Sequence, residues 1–493
     1  MWCARRTLDT ASHPGANSVT LPLLHANGID GATGSYLAAP VSAAQIASFV
    51  LDLREDPALD DLRLRRQLAE PHLGIRRGLD ANDLADAGWG VIFARDADPA
   101  LREALSPLLD LRRAQAGAKR LRYREYSGES GFVPDLRKDA FLAANNAGPG
   151  PTNPDRVPYY LLLVGDPAAI PYEFQYQLDV QYAVGRIAFE TPQQYANYAA
   201  SVVAAESGRI VRPRRAVFFG TRNPNDEATG LSADHLVAPL AATFAERQAG
   251  RWDVQALLGA DAAKPRLAAL AGGVEAPALL FTASHGVAFP AGDPRQSRHQ
   301  GALLCQEWPG PLDHVGELPE DYYYSADDAR AGVGPSGLVS FHFACYGAGT
   351  PQFDEFSRRL DTQPRQIAPR PLIAPLAQQM LGHAGGGALA FIGHVERAWA
   401  YAFAWPGAEG AQLAVFEDTL GSLFDGCTVG YAMEVFNERY AELATELATE
   451  LAAVRNGRKR DDLTLARMWT ALNDARNHVI VGDPAVRLAL GRS

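Results

Sequence analysis

Short apolar runs alternate with longer amphipathic stretches from residue 213 onward. The run "AVFFG" (216–220) is followed by the helix-like "SADHLVAPLAATFAERQA" (232–249), and this order recurs along the rest of the chain. Strands that alternate with helices form βαβ units with a parallel sheet. The pattern therefore predicts an α/β fold with a mostly parallel sheet. The further apolar runs of the series are "WDVQALLG" (252–259), "PALLFTASHG" (277–286), "SGLVSFHFACYGAG" (336–349) and "GALAFIGHV" (387–395).

The chain upstream of this series is less regular. Residues 61–125 are largely helical in pattern and arginine-rich, interrupted by the strand-like "GWGVIFA" (88–94). The strand-like run "YYLLLVGDP" then follows a loop rich in Pro, Gly and Asn. At 493 residues the chain is long enough for several structural units. We expect three regions: a helix-rich N-terminal region of unclear role (1–150), part of a smaller α/β subdomain (151–212) and a larger α/β domain (213–493).

Two reactive side chains stand where predicted strands end. His285 and Gly286 close the third run of the series, and Cys345 closes the fourth. Ligands of open α/β sheets bind outside the carboxyl ends of the strands. If the two strands are neighbours in the sheet, they bring His285 and Cys345 together, which no spacing within a single helix could do.

This pair has the chemistry of a nucleophile and a base. A cysteine reacts as its thiolate, and a nearby histidine lowers its pKa or takes its proton. The backbone N–H groups of Gly286 and Cys345 could stabilise an oxyanion. A lone histidine or cysteine in an apolar strand is most often a core residue. Together at strand ends, with small residues beside both, His285 and Cys345 favour a catalytic dyad.

Composition and charge restrict the binding partners and the cellular compartment that we expect. The formal net charge of −11 argues against a nucleic-acid partner, and no apolar run approaches the length that spans a membrane. The first residues lack the apolar core of a secretory signal. The four cysteines lie far apart with no C-x-x-C pair, which fits a reducing compartment and argues against structural zinc. We expect a cytoplasmic protein with no metal site.

The two apolar blocks, one ending in His-Gly and the next in Ala-Cys, resemble the caspase-like cysteine peptidases, the group of caspases, metacaspases, gingipains and bacterial CHAT proteases. The similarity is closest to the gingipain branch. There, residues 159–187 resemble the segment before the catalytic subdomain, with Gly185-Arg186 matched, and "HVIVGDPAVRL" (478–488) resembles the closing strand. The resemblance covers about 155–490. It implies a caspase-like three-layer sandwich with 213–493 as the catalytic domain.

The resemblance also assigns roles to matched residues. Cys345 becomes the nucleophile and His285 the general base and acid, with Gly286 and Cys345 supplying the oxyanion-hole amides. Gingipains place an acidic residue ahead of the Gly-Arg pair to orient the histidine. The aligned position here is Gln181, so the nearest acid, Asp179, is the candidate for that role. A turn or sheet-edge carboxylate is an equally good interpretation of Asp179.

Substrate selectivity is predicted from the strand after the cysteine block. In gingipains that strand leads into a loop lining the specificity pocket. The counterpart, "GHVERAWAYAFAW" (393–405), offers Glu396, Trp399 and Trp405 as substrate-binding residues. A buried carboxylate would select a cationic side chain, and indole walls would contact its aliphatic stem. We expect a preference for Arg or Lys before the scissile bond.

The sequence thus predicts a thiol protease that hydrolyses peptide bonds through an acyl-enzyme on Cys345 and needs no cofactor. Its partners would be a protein or peptide substrate and a regulatory protein, and the resemblance extends to bacterial proteases of host defence and regulated proteolysis. One alternative is a catalytically idle caspase-like scaffold or sensor that binds a protein partner. Another is a ligase that passes the acyl group to an amine.

Overall fold

The computed structural model describes residues 23–24, 26–37, 41–51, 74–273, 275–354, 356, 365–399, 403 and 411–491. The strands of these residues, numbered in chain order, are β1 Leu23–Leu24, β2 Gly28–Asp30, β3 Val41–Ser42, β4 Trp89–Phe93, β5 Tyr123–Tyr126, β6 Tyr160–Val164, β7 Ala183–Ile187, β8 Arg215–Gly220, β9 Asp253–Leu258, β10 Leu279–Ala283, β11 Gly286–Ala288, β12 Ala302–Leu304, β13 Tyr323–Tyr324, β14 Val339–Phe343, β15 Gly349–Thr350, β16 Leu372–Ile373, β17 Ala390–His394 and β18 His478–Gly482.

The α-helices, numbered in the same way, are α1 Ala43–Leu51, α2 Leu84–Ala87, α3 Pro99–Ala104, α4 Ser106–Ala116, α5 Lys138–Ala144, α6 Tyr172–Asp179, α7 Pro192–Glu206, α8 Glu227–Ser232, α9 Ala238–Arg247, α10 Lys264–Ala271, α11 Gln296–His299, α12 Ala326–Ala331, α13 Pro375–Leu381, α14 Ala414–Phe424, α15 Val429–Ala432, α16 Glu434–Arg455 and α17 Asp462–Asn477. Within these described residues, no helix combines the length and the apolarity that crossing a bilayer requires.

Ten of the described strands form one sheet in the order β5-β4-β6-β7-β18-β17-β14-β10-β8-β9. Neighbouring strands are parallel except β17 and β18, which pair antiparallel. The sheet therefore consists of two parallel halves that run in opposite directions. The prediction of an α/β fold with a mostly parallel sheet is confirmed. The strands that end in the candidate residues, β10 and β14, lie side by side near the middle of the second half.

Helices cover both faces of the first half-sheet. Alternate residues of β4 and β6 point into two separate apolar clusters. One cluster includes Leu108 and Leu109 of α4 and Val202 of α7, whereas the other includes Phe141 of α5 and Phe174 of α6. This is why the strands read as unbroken apolar runs, as strands buried on both faces do. In this half of the sheet the arrangement is the three-layer sandwich that the resemblance implies.

The boundary expected at residue 150 does not separate two sheets. The strands β4 and β5, which precede it, lie beside β6, which follows it. The expected helix-rich region therefore supplies part of the sheet that the expected subdomain completes. The helix α1, earlier still in the chain, packs against α17, which leads into the central strand β18.

A buried ion pair ties α4, which carries Arg112, to the end of β18 in the first half of the sheet. Asp483 is buried and accepts hydrogen bonds from Arg112 Nε at 2.7 Å and from Trp89 Nε1 at 2.9 Å. The same guanidinium also pairs with Glu206 at 2.9 Å. Removing one partner of a buried pair leaves an uncompensated charge, which costs far more than the loss of an exposed pair.

We expect Asp483→Ala to lower the free energy of unfolding by about 3 kcal/mol, because the buried Arg112 guanidinium loses the carboxylate at Nε and keeps only Glu206. Asp110→Ala, which removes the exposed pair with Arg113, is the matched control and should cost less than about 1 kcal/mol. Urea denaturation followed by circular dichroism measures both. Equal, small effects would mean that the buried pair does not hold the two parts together.

Candidate active site

The register of two parallel strands places His285 and Cys345 at one edge of the sheet. Ala283, at the end of β10, pairs with Phe343, at the end of β14. Each candidate residue lies two positions beyond this pair, so both strands end level. Beyond the strand ends the two backbone segments are in contact, since a Cβ built on Gly286 would lie 1.7 Å from the carbonyl oxygen of Cys345. Only glycine permits this approach, which explains the residue type after the histidine.

The His285 ring is fully buried and held on three sides. Its Nε2 lies 2.8 Å from Oδ2 of Asp226. The ring of Tyr36 packs against it edge-on with centroids 5.9 Å apart, and Trp308 does the same at 5.7 Å. Its Nδ1 is buried and has no hydrogen-bond partner among the described residues. Since Nε2 is engaged by Asp226, Nδ1 is the atom left to exchange a proton.

Asp226 is the carboxylate that orients the histidine. It caps the N-terminus of α8 by accepting a hydrogen bond from the backbone N–H of Thr229, and it accepts another from the Tyr36 hydroxyl at 2.7 Å. Burial alone would raise the pKa of Asp226, but the charge and hydrogen bond of His285 outweigh it, and the pKa lies well below its usual range. The carboxylate is therefore ionised beside the imidazole.

Asp179, the sequence candidate for this role, lies elsewhere. It is the last residue of α6, before β7 in the first half of the sheet, and its carboxylate accepts a hydrogen bond from the backbone N–H of Val184. Two strands, β18 and β17, separate β7 from β14. The residue that hydrogen-bonds His285 is thus Asp226 and not Asp179. A signal for it was present, because Asp226 follows β8, the neighbour of β10, at the same edge.

The Cys345 side chain is fully buried at a strained turn. Its Sγ accepts a hydrogen bond from the backbone N–H of Ala398 at 3.2 Å. Burial raises the pKa of the thiol to about 12, against the lowering effect of that N–H. The next residue, Tyr346, has a φ of 57°, a left-handed conformation that is uncommon outside glycine. Such strain is typical of functional turns, and here it sharply redirects the chain after the cysteine.

Two backbone N–H groups converge beside this thiol. The amides of Gly286 and Cys345 both donate hydrogen bonds to one atom, the backbone carbonyl oxygen of Asn27, at 3.1 and 3.3 Å. Two donors on a single carbonyl oxygen form the geometry of an oxyanion hole. The amides named from the sequence are thus brought together, and the group that they bind comes from the start of the chain.

The segment around Asn27 crosses the site as an extended chain. Ahead of it, Ala26 forms an antiparallel bridge with Trp399, and the Asn27 N–H donates to the carbonyl of Ala398 at 2.9 Å. Beyond it, β2 pairs in parallel with β11, with Gly28 opposite Gly286. The segment therefore pairs with other strands both before and after the point where it passes the cysteine, as extended peptides do when they bind to sheet edges.

The structure describes two of the three predicted substrate-binding residues, and their contacts differ. Glu396 is buried and its Oε1 lies 2.6 Å from Nη1 of Arg397, which also pairs with Asp354. This carboxylate is therefore already paired with an arginine of the chain, which it shares with Asp354. Trp399 is buried, packs on Phe356 at 4.9 Å and contacts the N-terminal segment through its backbone. Trp405 lies outside the described residues.

Among the residues that the structure describes, one cluster offers possible metal ligands. Potential ligand atoms of His394, Asp474 and His478 lie within 4.8 Å of one another, and all three residues are buried. Their hydrogen bonds already join them, with His394 Nε2 at 2.9 Å from Asp474 Oδ1. The same carboxylate oxygen accepts the Trp399 N–H at 3.4 Å. We interpret the cluster as a buried network that positions the chain after β17.

The comparisons with known proteins add structural matches. Neither protein-family models nor curated proteins match the chain. A solved structure described as a protease has a TM-score of 0.46 at 13% identity and covers 83% of this chain and 81% of its own. Gingipain R, an Arg-specific cysteine proteinase, gives 0.41 at 13% identity with 82% and 78% covered. The complex of the pro- and mature domains of RgpB from Porphyromonas gingivalis gives 0.42 at 11% identity with 81% and 79% covered. The matches include the gingipain branch named from the sequence.

We expect Cys345 to react slowly with iodoacetamide in the intact chain at pH 8, because burial raises its thiol pKa to about 12 and the N-terminal segment covers it. The partly exposed Cys427 is the internal control and should react at least about tenfold faster. Peptide mapping after a timed pulse gives both rates. Equal rates would mean that the thiol is accessible in solution.

Proposed function

We propose that the protein is a cysteine endopeptidase in which Cys345 attacks the substrate carbonyl and His285 transfers the proton. The observation that carries this proposal is the convergence of the Gly286 and Cys345 amides on one carbonyl oxygen beside the thiol. A core cysteine and a core histidine have no need of this arrangement. Acyl transfer does need it, because negative charge develops on that oxygen in the transition state.

The proton path follows from the histidine's contacts. With Nε2 bonded to Asp226, Nδ1 receives the thiol proton and later delivers it to the leaving amine. Asp226 keeps the ring in this orientation and stabilises the imidazolium that forms. Because burial raises the thiol pKa, the thiolate must form together with the imidazolium as the substrate is attacked.

Hydrolysis then completes the cycle with no group from outside the chain except water. The acyl-enzyme carries the N-terminal part of the substrate as a thioester on Sγ. Water, deprotonated by Nδ1, attacks that thioester, and the oxyanion again lies between the Gly286 and Cys345 amides. Each donor of such a pair contributes about 10²–10³ in rate. Proteins and peptides with an extended segment are the substrates, since the Ala398 carbonyl is positioned to accept a backbone N–H.

Labelling with peptidyl acyloxymethyl ketones checks the dyad. We expect intact-mass spectrometry to find one adduct on the wild-type chain, none on Cys345→Ala and a rate reduced by about 10²-fold or more on His285→Ala. Cys305→Ala, which removes another fully buried thiol, is the matched control and should label normally. A chain that no probe labels would support the idle scaffold. Peptide products carrying an added amine in place of water would support the ligase.

Asp226→Asn tests the orienting carboxylate. We expect kcat/KM to fall by about 10²-fold or more, because the amide cannot stabilise the imidazolium. Asp327→Asn is the control, because Asp327 pairs with His299 away from the site. An unchanged kcat/KM in Asp226→Asn would contradict the role.

A further inference from the structure

The peptide bond between Asn27 and Gly28 lies in the position of a bond to be cut. Its carbonyl oxygen receives the two N–H groups of the oxyanion hole. The next residue, Gly28, lies against the Cys345 side chain, since a Cβ built on Gly28 would lie 3.1 Å from Sγ of Cys345. Because position 28 carries no side chain, none lies between the thiol and this part of the backbone.

The hydrogen bonds on either side of this bond match those of a bound substrate. The Asn27 N–H donates to Ala398 O, and β2 continues in parallel along β11 past the site. The turn after β2 brings Tyr36 back onto the catalytic residues, where its hydroxyl donates to Asp226. The segment is therefore built into the site on both sides of the cysteine and does not merely cover it.

The Asn27 side chain occupies a closed pocket beside α8. The residue is fully buried, and its Nδ2 donates a hydrogen bond of 2.9 Å to Oγ of Ser232. The Ser232 hydroxyl gives its own proton to the carbonyl of Ala228 at 2.9 Å. Its oxygen is therefore available only as an acceptor. An asparagine amide supplies the N–H that this oxygen needs, whereas an aspartate carboxylate would bring a second acceptor.

Ser232 is positioned by an irregular helix. The residues after it, Ala233–Val237, form a π-helical segment between α8 and α9. Such segments are frequent at functional sites. Thus α8 has Asp226, which orients the histidine, as its N-cap, and Ser232, which binds the Asn27 side chain, as its last residue. One short helix therefore positions both residues.

We propose that the enzyme cleaves after asparagine and that Asn27–Gly28 of its own chain is its first substrate. The inference rests on the proposed function. It replaces the expected Arg or Lys preference, whose carboxylate, Glu396, is paired with Arg397.

The reaction balances with water as the co-reactant. The thiol proton passes to His285 Nδ1, Sγ bonds to the Asn27 carbonyl carbon, and the bond to the Gly28 nitrogen breaks as that nitrogen takes the proton. Water hydrolyses the resulting thioester and frees the thiol. The products are residues 1–27 with a new carboxylate and a chain beginning at Gly28. The cut releases the segment that blocks the cleft ahead of the cysteine.

The full-length chain provides the test. We expect intact-mass spectrometry and N-terminal sequencing to find cleavage between Asn27 and Gly28, at a rate independent of protein concentration because the segment already lies in its own site. Cys345→Ala should remain intact. Cleavage at this bond in Cys345→Ala as well would show that the thiol is not responsible and would overturn the inference.

Pocket variants test the selectivity. Ser232→Ala should slow the cut about five- to tenfold, the effect of one lost neutral hydrogen bond, whereas Ser201→Ala, another buried helical serine bonded to a carbonyl four residues back, should cut at the wild-type rate. Asn27→Asp should slow it about 100-fold, because a site built for a donor rejects a group that lacks one.

Acyloxymethyl ketone probes of sequence Leu-Leu-His-Ala-X separate this inference from the proposed function. We expect X as Asn to label Cys345 at least about 100-fold faster than Asp, Arg or Leu. Labelling by the Arg or Leu probe on a chain still intact at Asn27 would overturn the inference and leave the peptidase standing. No labelling by any probe together with an intact chain would overturn both.

Discussion

The convergence of two backbone N–H groups on one point is the constraint on which the site depends. It requires β10 and β14 to end level, which their parallel register provides. It also requires a glycine at 286, because any Cβ there would overlap the Cys345 carbonyl. The strained turn at Tyr346 then carries the chain away and leaves the amide of Cys345 free to donate. Sheet register and two local backbone conformations thus create the site before any side chain acts.

The rest of the molecule buries the edge of the sheet where β10 and β14 end and holds it in place. Helices cover both faces of the first half-sheet, and the buried pair of Arg112 and Asp483 joins α4 to the end of β18. The network of His394, Asp474 and His478 positions the chain that carries Ala398 and Trp399. In this closed environment the carboxylate of Asp226 is ionised and the thiol of Cys345 is protonated, so in the proposed mechanism charge separates only when a carbonyl is attacked.

Much of this could be predicted from the sequence because it follows from periodicity. The apolar runs gave the strands, and the carboxyl-end rule brought His285, Gly286 and Cys345 to one edge. Asp226 obeys the same rule, because it follows β8. Asp179 was instead predicted from the resemblance to gingipains, without regard to the order of the strands. The entry of Asn27 into the site could not be predicted, because it depends on the pairing of β2 with β11, two three-residue strands that lie far apart in the sequence. The pairing of Glu396 with Arg397 depends likewise on side-chain geometry at adjacent positions.

A crystal structure of the Cys345 adduct with a peptide aldehyde tests the central claim most directly. The aldehyde forms a thiohemiacetal whose oxygen models the oxyanion. The account requires this oxygen to lie within hydrogen-bond distance of the Gly286 and Cys345 amide nitrogens, with the His285 ring still bonded to Asp226. An adduct oxygen directed away from both amides, or an aldehyde bound to another cysteine, would contradict the assignment of this edge as the active site.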